Sequence, residues 1–358
     1  MSVQHFNHSN IDDQSTADRS SFPLDMWYVA ALSKEVQDKP LARMLFNEAV
    51  VLYRTSDGKV GALEDRCCHR ALPLSLGTLE GNGIRCGYHG LLFDTTGACI
   101  EIPGQQKIPS KAKVNSYPVV EQNSLIWIWF GSEEHPEPTC RPPIYTVHDD
   151  ERYLFDGDVY HYEAPYQLIH DNLLDLSHLG YVHLHTIGGN AKIHMNAEMN
   201  VEQIGNSVKV TRYMPNSTPP PTYSAAYPFI GNVDRWQEIT FLPSHLEIWT
   251  GAVDVNSEPL DNPDRGGFHL KGFHGVTPET NETSFYIWTQ ASNPTSAPEE
   301  NMKLVIEQTA LTFDEDKVVI EAQYKNLKRF KDKKLIDIHV DVGANRARRI
   351  IEKLKNGA

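Results

Sequence analysis

Long apolar runs, a disulfide framework and a surplus of positive charge are all missing from this chain, and each absence excludes something. None of its uninterrupted apolar stretches approaches the roughly twenty residues needed to cross a bilayer. The polar start, MSVQHFNHSNIDDQSTADRSS, has no apolar h-region. It is expected to be a flexible tail over residues 1–21 rather than a signal peptide. Five cysteines, an odd number without disulfide-like spacing, point to a reducing, cytoplasmic compartment. A formal net charge of −14 repels nucleic-acid phosphates and anionic lipid, so neither is an expected partner. There is no internal repeat and no low-complexity block. At 358 residues the chain can form two domains with proper cores.

What is present is chemically specific. Two short pairs, Cys67-x-His69 and Cys86-x-x-His89, are separated by sixteen residues, 70 to 85. Two thiolates and two imidazoles delivered from adjacent loops suit a Rieske-type [2Fe–2S] cluster, in which the cysteines hold one iron and the histidines the other. A structural zinc is the rival, but zinc sites favour C-x(2–4)-C and H-x(3–5)-H pairs. Pro73, Gly77, Gly87 and Gly90 crowd the same loops, where glycine permits positive φ and close backbone approach to cluster sulfurs. Cys68 reads as a packed thiol. Cys99 and Cys140, without partner spacing, read as buried small hydrophobes.

Around these loops, residues 22–142 read as a series of short strands. Ser56-Asp57-Gly58 marks a hairpin turn. SLIWIWFG (124–131) is apolar on both faces and reads as a strand buried on both sides. HPEPTCRPP (135–143) reads as the connection to a second domain, 143–358. There, QLIHDNLLDLSHLGYVHLHTIG (167–188) places Asn172, Asp175 and His178 along one stripe of an apolar helix that Gly180 ends or kinks, with His183 five residues after His178. Polar groups in such a setting must be satisfied or bind something. Two imidazoles are half of a two-His-one-carboxylate site for non-haem Fe(II). LVIEQTALTFDEDKVVIEAQYKNLKRF (304–330) offers Asp314, Glu315 and Asp316 in succession on a helix. Consecutive helical residues point about 100° apart, so one of the three faces an interior metal, and the residues alone leave the choice open.

The cluster motif, the N-x-x-D-x-x-H-x-x-x-x-H of Asn172, Asp175, His178 and His183, and the late EDKVVIEAQ (315–323) together resemble the terminal oxygenase subunit of a Rieske non-haem iron oxygenase. The resemblance is nearest to the vanillate O-demethylase and dicamba monooxygenase group. It runs from about Phe22 to the C-terminus. It implies an α+β chain, with an N-terminal all-β Rieske domain followed by a helix-grip catalytic domain built on an antiparallel sheet. It implies that His178, His183 and Asp316 bind the mononuclear iron. It makes Asp175 the link to a cluster histidine of a neighbouring subunit in a head-to-tail homotrimer, where a carboxylate between His69 or His89 and His178 would orient both rings. Asn172 is assigned a supporting place near the iron.

The activity so implied is an oxygenase component that acts on an aromatic compound, expected to be an aromatic acid, with O2. Electrons come from NAD(P)H through a flavin-containing, iron–sulfur reductase. O-demethylation of a methoxy group is the expected reaction, with ring dihydroxylation or methyl hydroxylation as the rivals and a stand-alone electron carrier a more distant one. Substrate contacts are expected between about Ile187 and Gln290. FHGVTPET (273–280) resembles the dicamba monooxygenase segment that supplies a substrate-binding histidine, which points to His274. Arg212, Arg235 and His194 join His274 as unranked donors for a carboxylate. PNSTPPPTYSAAYPF (215–229) is a turn-rich loop that lids the site or merely connects strands. KNLKRFKDKK (325–334) reads better as solvated helix charge than as a reductase dock.

Overall fold

The computed structural model describes Arg19 and residues 21–184, 186–293 and 297–356. Most of the expected N-terminal tail therefore lies outside the described residues. Its last part is not free of the body, because the Arg19 guanidinium bonds the Glu48 carboxylate and Phe22 is buried in the core.

Among the described residues, the N-terminal half is built from ten short strands. They are β1 (Met26–Leu32), β2 (Leu41–Leu45), β3 (Glu48–Arg54), β4 (Val60–Glu64), β5 (Thr78–Glu80), β6 (Gly83–Arg85), β7 (Leu92–Phe93), β8 (Cys99–Glu101), β9 (Val119–Gln122) and β10 (Leu125–Phe130). They form three antiparallel sheets, ordered β1-β10-β9, β2-β3-β4 and β5-β6-β7-β8. The 56–58 turn joins β3 to β4 as expected. Every residue of β10 is buried, and its two faces serve two cores. Trp127 and Trp129 pack with Phe273 and Ile287 of the second half, whereas Ile126, Ile128 and Phe130 join Phe46 and Tyr166. The linking stretch has no regular element between Gly131 and Tyr145. Cys140 is exposed there, not buried. Its carbonyl, which accepts from Trp27 Nε1 at 2.8 Å, is the part that is tied down.

The second half is one seven-stranded antiparallel sheet ordered β11-β17-β16-β15-β14-β13-β12. Its strands are β11 (Leu154–Tyr162), β12 (Glu198–Ile204), β13 (Ser207–Ser217), β14 (Val233–Leu242), β15 (His245–Asp254), β16 (Phe268–Pro278) and β17 (Ser284–Ser292). Helices α1 (Tyr166–Leu174), α2 (Leu179–Val182), α3 (Ala191–Met195), α4 (Pro221–Ala226), α5 (Pro298–Arg329) and α6 (Val342–Lys355) complete it. The chain is thus α+β, and α5, about 48 Å long at 1.5 Å per residue, lies across β11 and β17. It starts earlier than its periodicity suggested because Pro298 opens the first turn and Glu299 and Glu300 follow, both favourable at a helix N-terminus. Its buried stripe runs Met302, Val305, Thr309, Thr312, Phe313, Asp316 and Ile320. The basic 325–334 stretch ends this helix and lies largely in solvent.

Two local expectations fail. The helix bearing Asn172 stops at Leu174, so Asn172, Asp175 and His178 do not share a helical stripe. Asp175 is extended (φ −119°, ψ 91°), and its carboxylate accepts from the backbone of Ser177 at 2.9 Å. An aspartate that offers the chain this turn competes with helix continuation. A 3-10 turn then spans Leu176–His178, and Gly180 lies within α2. A Cβ at Gly180 would come within 2.2 Å of Ala191 Cα, so glycine allows α2 and α3 to cross. The 215–229 segment is not a loop throughout, since α4 occupies its middle.

Candidate active site and metal centres

Each cluster loop is a small backbone clasp. Cys67 N–H donates to Leu72 O and Ala71 N–H to Cys67 O; in the second loop Cys86 N–H donates to Leu91 O and Gly90 N–H to Cys86 O. The fourth residue after each cysteine has positive φ, 57° at Ala71 and 73° at Gly90. Gly77 and Gly87 serve another purpose. A Cβ on Gly77 would lie 2.3 Å from Arg85 O, and one on Gly87 3.0 Å from Leu76 O, so they bring the loops together. Cys67 and Cys86 are buried within the apolar cluster of Val51, Leu74, Ile84 and Phe93. Burial pushes the Cys67 thiol up to about 11. The His69 and His89 rings are exposed, with centroids 4.4 Å apart. Two buried sulfurs on one side and two adjacent imidazoles on the other fit a cluster with one thiolate-held iron and one imidazole-held iron. Cys68, half-buried, and Cys99, which donates to Glu101 O, stand apart.

The second constellation is assembled across the fold. One donor atom from each of His178, His183 and Asp316 lies within 4.8 Å of the others. Asp316 Oδ1 is 3.3 Å from His178 Nε2 and 3.2 Å from His183 Nε2. Both imidazoles are oriented from behind: His178 Nδ1 donates to the main-chain oxygen of Asp175 at 2.5 Å, and His183 Nδ1 to Glu315 Oε2 at 2.8 Å. With the proton on Nδ1, each Nε2 turns a lone pair toward the carboxylate. His183 Nε2 is buried without a hydrogen-bond partner. Lone pairs that converge at this distance repel unless a cation lies among them, so the donor set fits a mononuclear metal. Charge agrees. Burial disfavours the ionised forms, yet His178 and His183 hold the Asp316 carboxyl well below the usual carboxylate range, and Asp316 and Glu315 raise His183.

The three consecutive acids therefore divide the work. Asp316 faces the site, Glu315 holds His183, and Asp314 is exposed. Glu315 was missed as a positioning residue. The periodicity could have singled out Asp316, since it continues the buried series of 309, 313 and 320. Asn172 Nδ2 donates to Asp316 Oδ1 at 2.9 Å, a supporting position. The Asp175 carboxylate, half-buried, turns to Ser177 and lies 3.7 Å from Arg212 Nη1. Contrary to expectation, it is the backbone oxygen of Asp175, not the carboxylate, that orients His178.

A cavity of about 650 Å³, its open mouth included, lies beside this constellation. Asn172, His178, His183 and Asp316 form one wall, and Arg235, Gln237, His274 and Gln290 from the sheet form the other, with Leu173, Leu270 and Phe313 between. An apolar hollow with a few convergent polar groups is the usual form of a small-molecule site. His274 lies in this wall. Its Nδ1 lies 2.6 Å from Tyr286 Oη and its Nε2 has no partner. Burial lowers its pKa to about 3 and raises that of Tyr286, so both are neutral. Tyr286 O–H has no other acceptor among the described residues, so it donates to Nδ1 and leaves Nε2–H as a buried, unpartnered donor in the cavity wall. Arg212 and His194 do not reach the cavity lining. Tyr223 of α4 does, which gives the 215–229 segment a place in the wall.

Fold and site together define an iron enzyme with two centres. Residues 26–118 match the Rieske [2Fe-2S] domain, and residues 162–357 match the vanillate O-demethylase oxygenase C-terminal domain. The chain is 37% identical to the iron-sulfur subunit of the toluene-4-sulfonate monooxygenase system of Comamonas testosteroni, over 93% of this chain and 97% of that one. It is 34% identical to a vanillate O-demethylase oxygenase subunit of a Pseudomonas strain (93% and 95% covered) and to the oxygenase component of dicamba O-demethylase from Stenotrophomonas maltophilia (84% and 88%). The crystal structure of dicamba monooxygenase bound to 3,6-dichlorosalicylic acid superimposes with a TM-score of 0.86 at 31% identity, over 94% of this chain and 98% of the other. The chain belongs to the Rieske non-haem iron oxygenases, in the branch that carries the vanillate O-demethylase type of catalytic domain. It is an oxidoreductase and the oxygenase component of a multicomponent system, with a Rieske cluster and a mononuclear iron as its cofactors. Among the described residues no helix is long and apolar enough to cross a membrane.

Proposed function

We propose that this oxygenase acts on an aromatic acid and removes the methyl group of an aryl methoxy substituent, with electrons supplied by a flavin-containing reductase. The observation that carries the reading is the position of His178, His183 and Asp316 in the wall of an apolar cavity. Cys67, Cys86, His69 and His89 hold the cluster, and His178, His183 and Asp316 hold the iron. The bound iron supplies O2 activation. The residues of this chain do the rest: Glu315 and the Asp175 carbonyl fix the imidazoles, Asn172 steadies Asp316, and the leucines and Phe313 exclude water from the substrate. Hydroxylation of the methyl carbon gives a hemiacetal that loses formaldehyde.

Asp175 further links the two centres between neighbouring subunits of a homotrimer. Its carboxylate keeps acceptor capacity at a half-exposed position while its carbonyl is committed to His178. Incubation of the loaded oxygenase and reductase with methoxylated benzoates tests the reaction. Formaldehyde and a phenol are expected, and a cis-diol would overturn demethylation. Asp175→Asn should keep both metals and lose turnover; full retained activity would contradict the link.

A further inference from the structure

Three arginines of the described chain are buried almost completely: Arg212, Arg235 and Arg265. Two have carboxylate partners. Arg265 bonds Glu238 and lies over the rings of Trp236 and Trp249, at 4.4 and 4.0 Å from their centroids. Arg212 bonds His194 O and faces Asp175. Arg235, 3% exposed, makes no ion pair among the described residues. Its terminal nitrogens reach Gly188 O and Ile187 O only at 3.5 and 3.4 Å, its Cζ lies 5.5 Å from the centroid of the Tyr223 ring, whose uncharged hydroxyl also interacts with it, and its Nε is unpartnered. Arginine stays protonated in proteins, and an unpaired buried cation is costly. This one lines the cavity.

The sheet register separates Arg235 from the other polar end of the cavity. His274 pairs with Leu246, which pairs with Phe241, six residues along β14 from Arg235, or roughly 20 Å of strand. The two side chains therefore enter the cavity wall from well-separated backbone positions.

We propose that Arg235 binds the anionic group of the substrate, a carboxylate or sulfonate on an aromatic ring, at the Ile187–Tyr223 end of the cavity. This rests on the reading of the cavity as the substrate site. A bound anion completes the charge pairing that the fold leaves open, and the planar guanidinium offers two parallel N–H donors to its oxygens. The neutral His274 Nε2–H serves an uncharged oxygen at the other end.

Calorimetric titration of the iron-loaded enzyme with 4-methoxybenzoate, 4-methoxybenzenesulfonate and neutral 4-methoxybenzamide tests this. In the wild type an anion should bind more tightly than the amide, and the tighter anion identifies the source of the charge. Arg235→Met should reduce the anion-over-amide preference by at least about 50-fold, in line with loss of a charge-assisted pair. Its thermal midpoint should hold or rise, because an unpaired buried cation is gone. Arg235→Lys, which keeps the charge but not the fork, should lose at least about tenfold and serves if the Met variant does not fold. A preference unchanged in Arg235→Met and Arg235→Lys, or one abolished by His274→Asn instead, overturns the proposal and leaves the cavity reading intact. Failure of all three ligands to bind the wild type overturns both.

Discussion

The two candidate metal sites of this chain are opposites in construction. The cluster site is local: four ligands lie within 23 positions, 67 to 89, in two loops that repeat one hydrogen-bond pattern, and its imidazoles face solvent. The mononuclear site is long-range. His178 and His183 meet Asp316 from more than 130 residues away, and each ring is held from behind by a second group. The contrast extends to ionisation. His170, His194, His269 and His274, all in the second half, are buried, and desolvation depresses their pKa to about 3, 3, 4 and 3 respectively. A local site can be carried by a short motif and an exposed edge, whereas a long-range one needs a dry, pre-shaped interior.

The contrast can be broken most sharply at the ligands. Asp316→Ala should abolish turnover and remove the mononuclear iron while the Rieske EPR signal stays; Cys67→Ser should do the reverse. Iron analysis beside EPR distinguishes the two, and joint loss of both centres in either variant would show that they are not independent. Acid is next in size. These four histidines have folded pKa values below the unfolded value of about 6.5, so the unfolded state takes up more protons and stability falls as the pH drops from about 6.5 toward 3. At pH 5 each contributes at most about 2 kcal/mol. Denaturant titration at pH 7 and 5 should find the catalytic half weakened, and His170→Gln should flatten the slope. Equal stability at both values would contradict the neutral assignments.

Glu315→Gln, which removes the charged acceptor behind His183, should weaken iron retention by about 10–100-fold, as read from competition with a chelator, with the cluster unaffected. The smallest effects belong to the clasps. Gly90→Ala forces a Cβ to 2.9 Å from Pro103 Cγ at φ 73° and should cost about 1–2 kcal/mol. Ala71→Gly, at the equivalent position, should gain up to about 1 kcal/mol. Thermal loss of the cluster absorption would show both.

The same contrast explains what could be read from the sequence. The cluster motif was legible because spacing alone brings its four side chains together, and β10 was legible because six consecutive apolar residues have only a buried place to go. The break at Asp175 was not, because the leucine periodicity continues through it and a single side-chain bond to Ser177 overrides the pattern. Glu315 was hidden by its neighbours, since the identity of a carboxylate does not say whether it faces a metal or an imidazole. The solvent exposure of Cys140 was misjudged from residue type. Arg235 could be named as a possible anion donor but not ranked, because its lack of a partner is a property of the folded surroundings.

Gly272 sits on β16 opposite Ile248 and Gln290, and a methyl group there would come within 2.5 Å of His274 Nε2 and 2.8 Å of Gln290 Oε1. The floor of the chamber is thus gauged by a single missing carbon. A lineage could retune which rings it accepts by changes on this strand alone, leaving His178, His183 and Asp316 untouched.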